Sequence, residues 1–171
     1  RPLKPDELAF LEKSEQNYIA VGIGASDKRK MASPEKLAEF LTILSIENPD
    51  IKFHMLGYGK SDISYFQELE EYFKFDENLV CMVNKLTLVE TVREIANSKL
   101  YIGFDSGLYN VAYALKKKQI CMISLNRSQD FFHEDSNIRF LYKELNKNIE
   151  EKGIDSEYNN DINLISNEVF K

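Results

Sequence analysis

The chain has 171 residues, 43% hydrophobic and 29% charged, which suits one soluble globular domain with a sizeable core. Its net charge of −6 argues against a nucleic-acid-binding surface, which is ordinarily basic. No apolar run approaches the ~20 residues of a membrane span. Two cysteines, Cys81 and Cys121, sit in apolar runs and read as buried free thiols rather than a disulfide. His54 and His133 lie too far apart, and too far from either cysteine, for metal-ligand spacing. No secretory signal is visible, and the start at Arg1 suggests a piece of a longer or processed protein.

Residues 1–17 read as a linker with a helical turn at 6–13, ahead of one domain over 18–171. Residues 18–23 (YIAVGI) form a first strand, followed by a loop through Lys30. Ser33 and Pro34 open a helix whose apolar face is Leu37, Phe40, Leu41 and Leu44. Asn48-Pro49-Asp50 ends it. A second strand at 52–56 runs into Gly57-Tyr58-Gly59 and a helix over 63–73. A third strand covers 79–83. Thr87 and Glu90 have capping-box spacing and open a helix through Ala96. A fourth strand at 100–104, a helix at 107–115 and a fifth strand at 119–124 follow. Beyond Leu125 the rhythm breaks: a loop over 126–135, a helix over 138–149, a loop over 153–160 and a last helix over 161–170 are expected. Apolar strands alternating with helices imply an α/β fold, an open parallel sheet with helices on both faces.

In such a sheet, ligands sit beyond the carboxyl ends of the strands. The stretch there with most chemistry is Phe104-Asp105-Ser106-Gly107-Leu108-Tyr109-Asn110. A strand ending in Asp-Ser-Gly and feeding a helix leaves backbone N–H groups facing a dipole that favours an anion. Gly107, without a Cβ, permits close approach. Asp105 and Ser106 would equally serve as plain helix caps. Two basic runs, Lys28-Arg29-Lys30 and Lys116-Lys117-Lys118, read as solvated loops, although the first also lies beside the expected anion site. Tyr58 and Tyr109 are the two aromatic residues on ligand-side loops.

Neither Gly-rich turn completes a dinucleotide fingerprint: Gly22 and Gly24 are followed by Asp27, Gly57 and Gly59 by Asp62. No Gly-Lys-Ser/Thr phosphate loop and no Asp-x-Asp pair is present. The remaining reading is a phosphate site without a metal or other cofactor. A lysine of the first loop and the helix start at Ser106 and Gly107 would stabilise a diphosphate leaving group.

Gly24-Ala25-Ser26, the basic loop and Ser33-Pro34-Glu35 resemble the "PGAS…K-x-W-P-E" signature of the heptosyltransferase family. Lys85-Leu86-Thr87-Leu88, Ala96, Lys99, Asp105-Ser106-Gly107-Leu108 and Ala112-Tyr113-Ala114-Leu115 are similar to its "K-x-S-L…A…K…D-[ST]-G-x-x-H-x-A-A-A-L". The likeness spans residues 18–124. It implies the Rossmann-like C-terminal half of a two-domain GT-B glycosyltransferase, inverting and metal-independent, with ADP-heptose as the foremost donor and a lipopolysaccharide or surface-glycan acceptor. It implies further that Ser26, Lys28 and Lys30 meet the diphosphate. Leu86 would pack near the base, and Asp105, Ser106, Gly107 and Asn110 would hold phosphates and sugar. The catalytic base would lie on an N-terminal acceptor domain absent from this chain, so no residue here is nominated for it. A cytoplasmic place, at most peripheral at the inner face of the membrane, goes with that family.

The chain departs from the signature at several points. Asn110 stands where the family has His, Ser33 where it has Trp, and Leu125-Asn126-Arg127 where it has Gly-Pro-Thr. Asp62 is the candidate for the acidic residue after the second strand. These departures keep open a second reading, a non-catalytic nucleotide-binding or interaction domain on the same scaffold. A receiver-type domain ranks last, because Ile23-Gly24 and Val83-Asn84 occupy the places where its carboxylates would stand.

Overall fold

The computed structural model describes residues 16–123 and 137–142. The strands are β1 (Tyr18–Gly22), β2 (Lys52–Leu56), β3 (Leu79–Cys81), β4 (Leu100–Phe104), β5 (Gln119–Ile123) and β6 (Ile138–Tyr142). The helices between them are α1 (Pro34–Glu47), α2 (Lys60–Tyr72), α3 (Leu88–Asn97) and α4 (Gly107–Ala114). The six strands form one sheet in the order β3-β2-β1-β4-β5-β6, with every neighbouring pair parallel. This is the α/β sheet expected, and its strand order is that of the Rossmann fold. The order reverses between β1 and β4, where the connections leave in opposite directions and open a crevice at the carboxyl edge.

Alternate strand residues feed two cores. Ile19, Val21, Phe53, Met55, Ile102 and Phe104 pack with Leu37, Phe40, Leu41 and Leu44 of α1 and Leu69 of α2 on one face. Ala20, Tyr101, Cys121 and Ile123 pack with Ile95 of α3 and Tyr109 and Ala112 of α4 on the other. Each large apolar side chain buried this way contributes roughly 1.5–3 kcal/mol.

The local start signals act as read. Ser33 accepts the Lys36 N–H at 3.3 Å and Pro34 sits at the first position of α1. Thr87 and Glu90 form a reciprocal capping box on α3, the Thr87 N–H reaching Glu90 Oε2 at 2.7 Å. Helix α2 begins at Lys60, three residues before the expected start, because Gly59 turns the chain at φ 97°. Asn84 Oδ1 accepts the Gly59 N–H at 2.6 Å and anchors that turn. Strand β3 stops at Cys81 rather than Val83, the chain then turning through Asn84 at φ 59°.

One expectation is overturned. The helix read over residues 138–149 is absent at its start: Ile138–Tyr142 is strand β6, paired in parallel with β5 from Gln119↔Ile138 to Ile123↔Tyr142. The run Ile-Arg-Phe-Leu-Tyr is rich in β-branched and aromatic residues, and β5 offers it an unpaired backbone edge. Residues 143–149, the expected helices at 6–13 and 161–170, and the loops at 126–135 and 153–160 lie outside the described residues, as do His133 and Leu125-Asn126-Arg127.

Far from the crevice, His54 stacks on Tyr18 with ring centroids 3.9 Å apart and meets Glu94 Oε2 at 2.8 Å. The Lys116–Lys118 run is not simply solvated: Lys117 Nζ donates to the Ala96 and Ser98 carbonyls behind α3.

Candidate functional site

Four loops converge at the carboxyl edge around a cavity of about 750 Å³. Gly24, Ala25 and Ser26 arrive from β1, and Gly57, Tyr58, Ser61 and Asp62 from β2 and α2. Leu86 and Thr87 come from the β3 side, and Ser106, Gly107 and Leu108 from the start of α4. Of the eight residues singled out from sequence, Ser26, Leu86, Ser106 and Gly107 line this cavity. Lys28, Lys30, Asp105 and Asn110 do not. Asn110 is exposed and spends its Nδ2 on the Ser106 carbonyl at 3.3 Å.

Lys30 and Asp105 meet each other. Lys30 Nζ and Asp105 Oδ2 lie 2.6 Å apart with side chains 13% and 25% exposed, so the pair is largely shielded. It ties the β1 loop to the β4 loop across the switch point. Arg29 is paired with Asp27 at 2.6 Å, and this pairing pulls the Asp27 carboxyl down to about 2. Lys28 is left exposed at the short helical turn Lys28–Lys30, with its charge facing no carboxylate among the described residues.

The start of α4 departs from the plain capping reading. Asp105 bonds Lys30, and Ser106, at the N-cap position, makes no side-chain bond to its helix. Its Oγ is buried without a partner. A Cβ added to Gly107 would meet nothing within 4 Å, so neither packing nor backbone demands glycine there. The free space above Gly107 belongs to the crevice.

Asp62 is the residue that sequence reasoning underrated. It accepts the Tyr58 N–H at 2.9 Å through Oδ2. Its carboxylate fills the places where Gly24 and Gly57 would carry a Cβ, so the two Gly-rich turns close on one side chain. Thr91 and Val111 also line the cavity and were not foreseen, since both stand within helices rather than on loops. Of the two tyrosines on ligand-side segments, Tyr58 is 84% exposed on the rim, whereas Tyr109 is 5% exposed within the α4 core and offers no ligand platform. Among the described residues, no group of three or more metal-ligating side chains converges.

Residues 3–133 match the model of glycosyltransferase family 9 (heptosyltransferase). The chain belongs to that family. A curated relative, lipopolysaccharide heptosyltransferase 1 of Campylobacter coli, is 28% identical over 119 residues, which cover 69% of this chain and 34% of that protein. Among solved structures, E. coli ADP-heptose lps heptosyltransferase II superposes with a TM-score of 0.70 at 18% identity, covering 99% of this chain and 54% of that one. E. coli heptosyltransferase WaaC with ADP superposes with a TM-score of 0.72 at 16% identity, covering 95% and 47%. The fold is therefore that of the GT-B heptosyltransferases. The chain spans between about a third and about half of the length of these relatives. Among the described residues no helix is long and apolar enough to cross a membrane.

Proposed function

We propose that the cavity holds a nucleoside-diphosphate sugar and that this domain is the donor half of an inverting, metal-independent glycosyltransferase. ADP-heptose is the first donor to test, and the acceptor is a lipopolysaccharide or another surface glycan. The observation that carries the reading is the uncapped start of α4 facing the switch-point cavity, with open space above Gly107. Support comes also from family membership and from the likeness to a fold solved with ADP.

In this reading the diphosphate lies at Ser106 and Gly107. The α4 dipole and the Lys28 ammonium stabilise the negative charge that grows as the sugar–phosphate bond breaks. The Lys30–Asp105 pair fixes the two loops that frame it, and Ser26 supplies a further hydroxyl. Leu86 and Leu88 give the base an apolar wall. The acceptor oxygen attacks the anomeric carbon opposite the departing diphosphate, which inverts the configuration. The base that takes its proton lies on an acceptor domain in the part of the relatives' length that this chain does not span. The family's cytoplasmic place, peripheral at the inner face of the membrane, belongs to the same proposal.

Calorimetric titration of the intact protein with ADP, UDP, GDP and CMP tests this, repeated with Asp105→Ala. Saturable binding of one nucleoside diphosphate, weakened by the substitution, supports the donor site. Heptose transfer from ADP-heptose then separates the enzyme from a non-catalytic binding domain. Absence of binding by the intact protein would overturn the reading.

A further inference from the structure

Tyr101 is the second residue of β4, fully buried on the sheet face that packs with Ile95 of α3 and Tyr109 and Ala112 of α4. Its hydroxyl occupies a cradle that exists only because two neighbouring strand residues are glycines. A Cβ on Gly22 or on Gly103 would collide with it. Gly22 and Gly103 are register partners in β1 and β4, so the cradle lies at the switch point itself. A phenol placed so deep ordinarily donates to a fixed acceptor, yet Tyr101 has none, and the Ser106 hydroxyl is likewise buried and unpaired. Burial pushes the phenol well above its usual range, with the Ser106 hydroxyl pulling the other way. Each hydroxyl is therefore the partner available to the other, since neither has another within the fold. Burial and the charge of Asp105 also raise the Cys121 thiol, which stays neutral.

We propose that Tyr101 is a positioning residue for the anion site: its hydroxyl holds the Ser106 hydroxyl inward, so that Ser106 does not cap its own helix and the first amides of α4 stay available to a phosphate. A serine at an N-cap position ordinarily turns its oxygen to the second or third amide of the helix. Here that oxygen makes no cap bond, and like the Tyr101 hydroxyl it is buried without any other partner. Without Tyr101, Ser106 would become its helix's own cap and compete with the ligand. The phosphate part of this inference rests on the donor-site reading, whereas the arrangement of Ser106 does not.

Two measurements on the intact protein separate these. In the free protein, amide hydrogen exchange at Leu108 is expected to slow in Tyr101→Phe, as Ser106 swings out to cap. It is expected to return to the wild-type rate in Tyr101→Phe/Ser106→Ala. With ADP as probe, Tyr101→Phe is expected to weaken binding by about threefold to tenfold, the effect of one hydrogen bond. The same change made in the Ser106→Ala background is expected to alter affinity by less than about twofold. Unchanged exchange in Tyr101→Phe, or an equal loss of affinity in both backgrounds, would overturn the role of Tyr101. A wild-type protein that binds no ADP while the exchange pattern holds would instead count against the donor reading alone.

Discussion

The Lys30 ammonium and the Asp105 carboxylate, 75 residues apart in sequence, meet at 2.6 Å across the switch point of the sheet. Each comes from a loop that the sheet delivers to its carboxyl edge, Lys30 after β1 and Asp105 after β4. Both side chains are mostly shielded from water, so removing either partner leaves the other charge poorly solvated. Asp105→Ala and Lys30→Ala are each expected to cost about 1–3 kcal/mol of stability. The double substitution is expected to cost less than the sum by more than about 0.5 kcal/mol. Urea unfolding of the three variants checks this, and strict additivity would mean that the two groups do not interact.

Gly107 separates stability from binding. Because a Cβ there meets nothing and the residue stands in the first turn of α4, Gly107→Ala is expected to leave stability unchanged or raise it by up to about 1 kcal/mol. The same methyl would stand in the space proposed for the diphosphate, so nucleotide affinity is expected to fall by tenfold or more. Thermal unfolding paired with calorimetry reads both quantities. A variant that is more stable and still binds normally would move the phosphate away from α4.

Acid sensitivity should trace in part to the capping box of α3. Hydrogen bonds from the Thr87 backbone and side chain hold the Glu90 carboxyl below its ordinary value. Its folded pKa is therefore lower than its unfolded one. The stability it contributes is present above the unfolded value and is lost as pH falls through the folded value. Asp27, held at about 2 by Arg29, behaves in the same sense at a lower pH. Glu90→Gln, which cannot ionise, is expected to flatten the decline of the melting temperature between about pH 5 and about pH 3. An unchanged slope would show that the box is unformed in solution.

The two thiols should differ in reactivity. Cys121 is fully buried in β5 and burial raises its pKa, so little thiolate forms, whereas Cys81 is partly accessible in β3. A thiol reagent applied to the native protein at neutral pH is expected to modify Cys81 first and to reach Cys121 only on unfolding. Mass spectrometry of partly labelled protein distinguishes the sites. Early labelling of Cys121 would mean that the face of β5 opens readily.

Much of the fold was legible because its signals are local. Ser33-Pro34 and Thr87 with Glu90 announce helix starts from side chains three residues apart, and both operate as read. Five apolar strands separated by helices imply the parallel sheet. The failure at Ile138–Tyr142 has the opposite origin: five residues with Arg139 among them show no clear period, and the free edge of β5 makes them a strand.

Sequence alone determined the alternation of strands and helices, the family likeness, and the Asp105-Ser106-Gly107 turn at a helix start, since each depends on neighbours along the chain. The tertiary structure decided which of these residues act together. It paired Lys30 with Asp105, closed Gly24 and Gly57 onto Asp62, and set the Tyr101 hydroxyl between Gly22 and Gly103. The first and last of these exist because the strand order 3-2-1-4-5-6 places β1 beside β4, and the second because the same order places β1 beside β2. No periodicity in the chain encodes that adjacency; it follows from how the two helix layers cover the sheet.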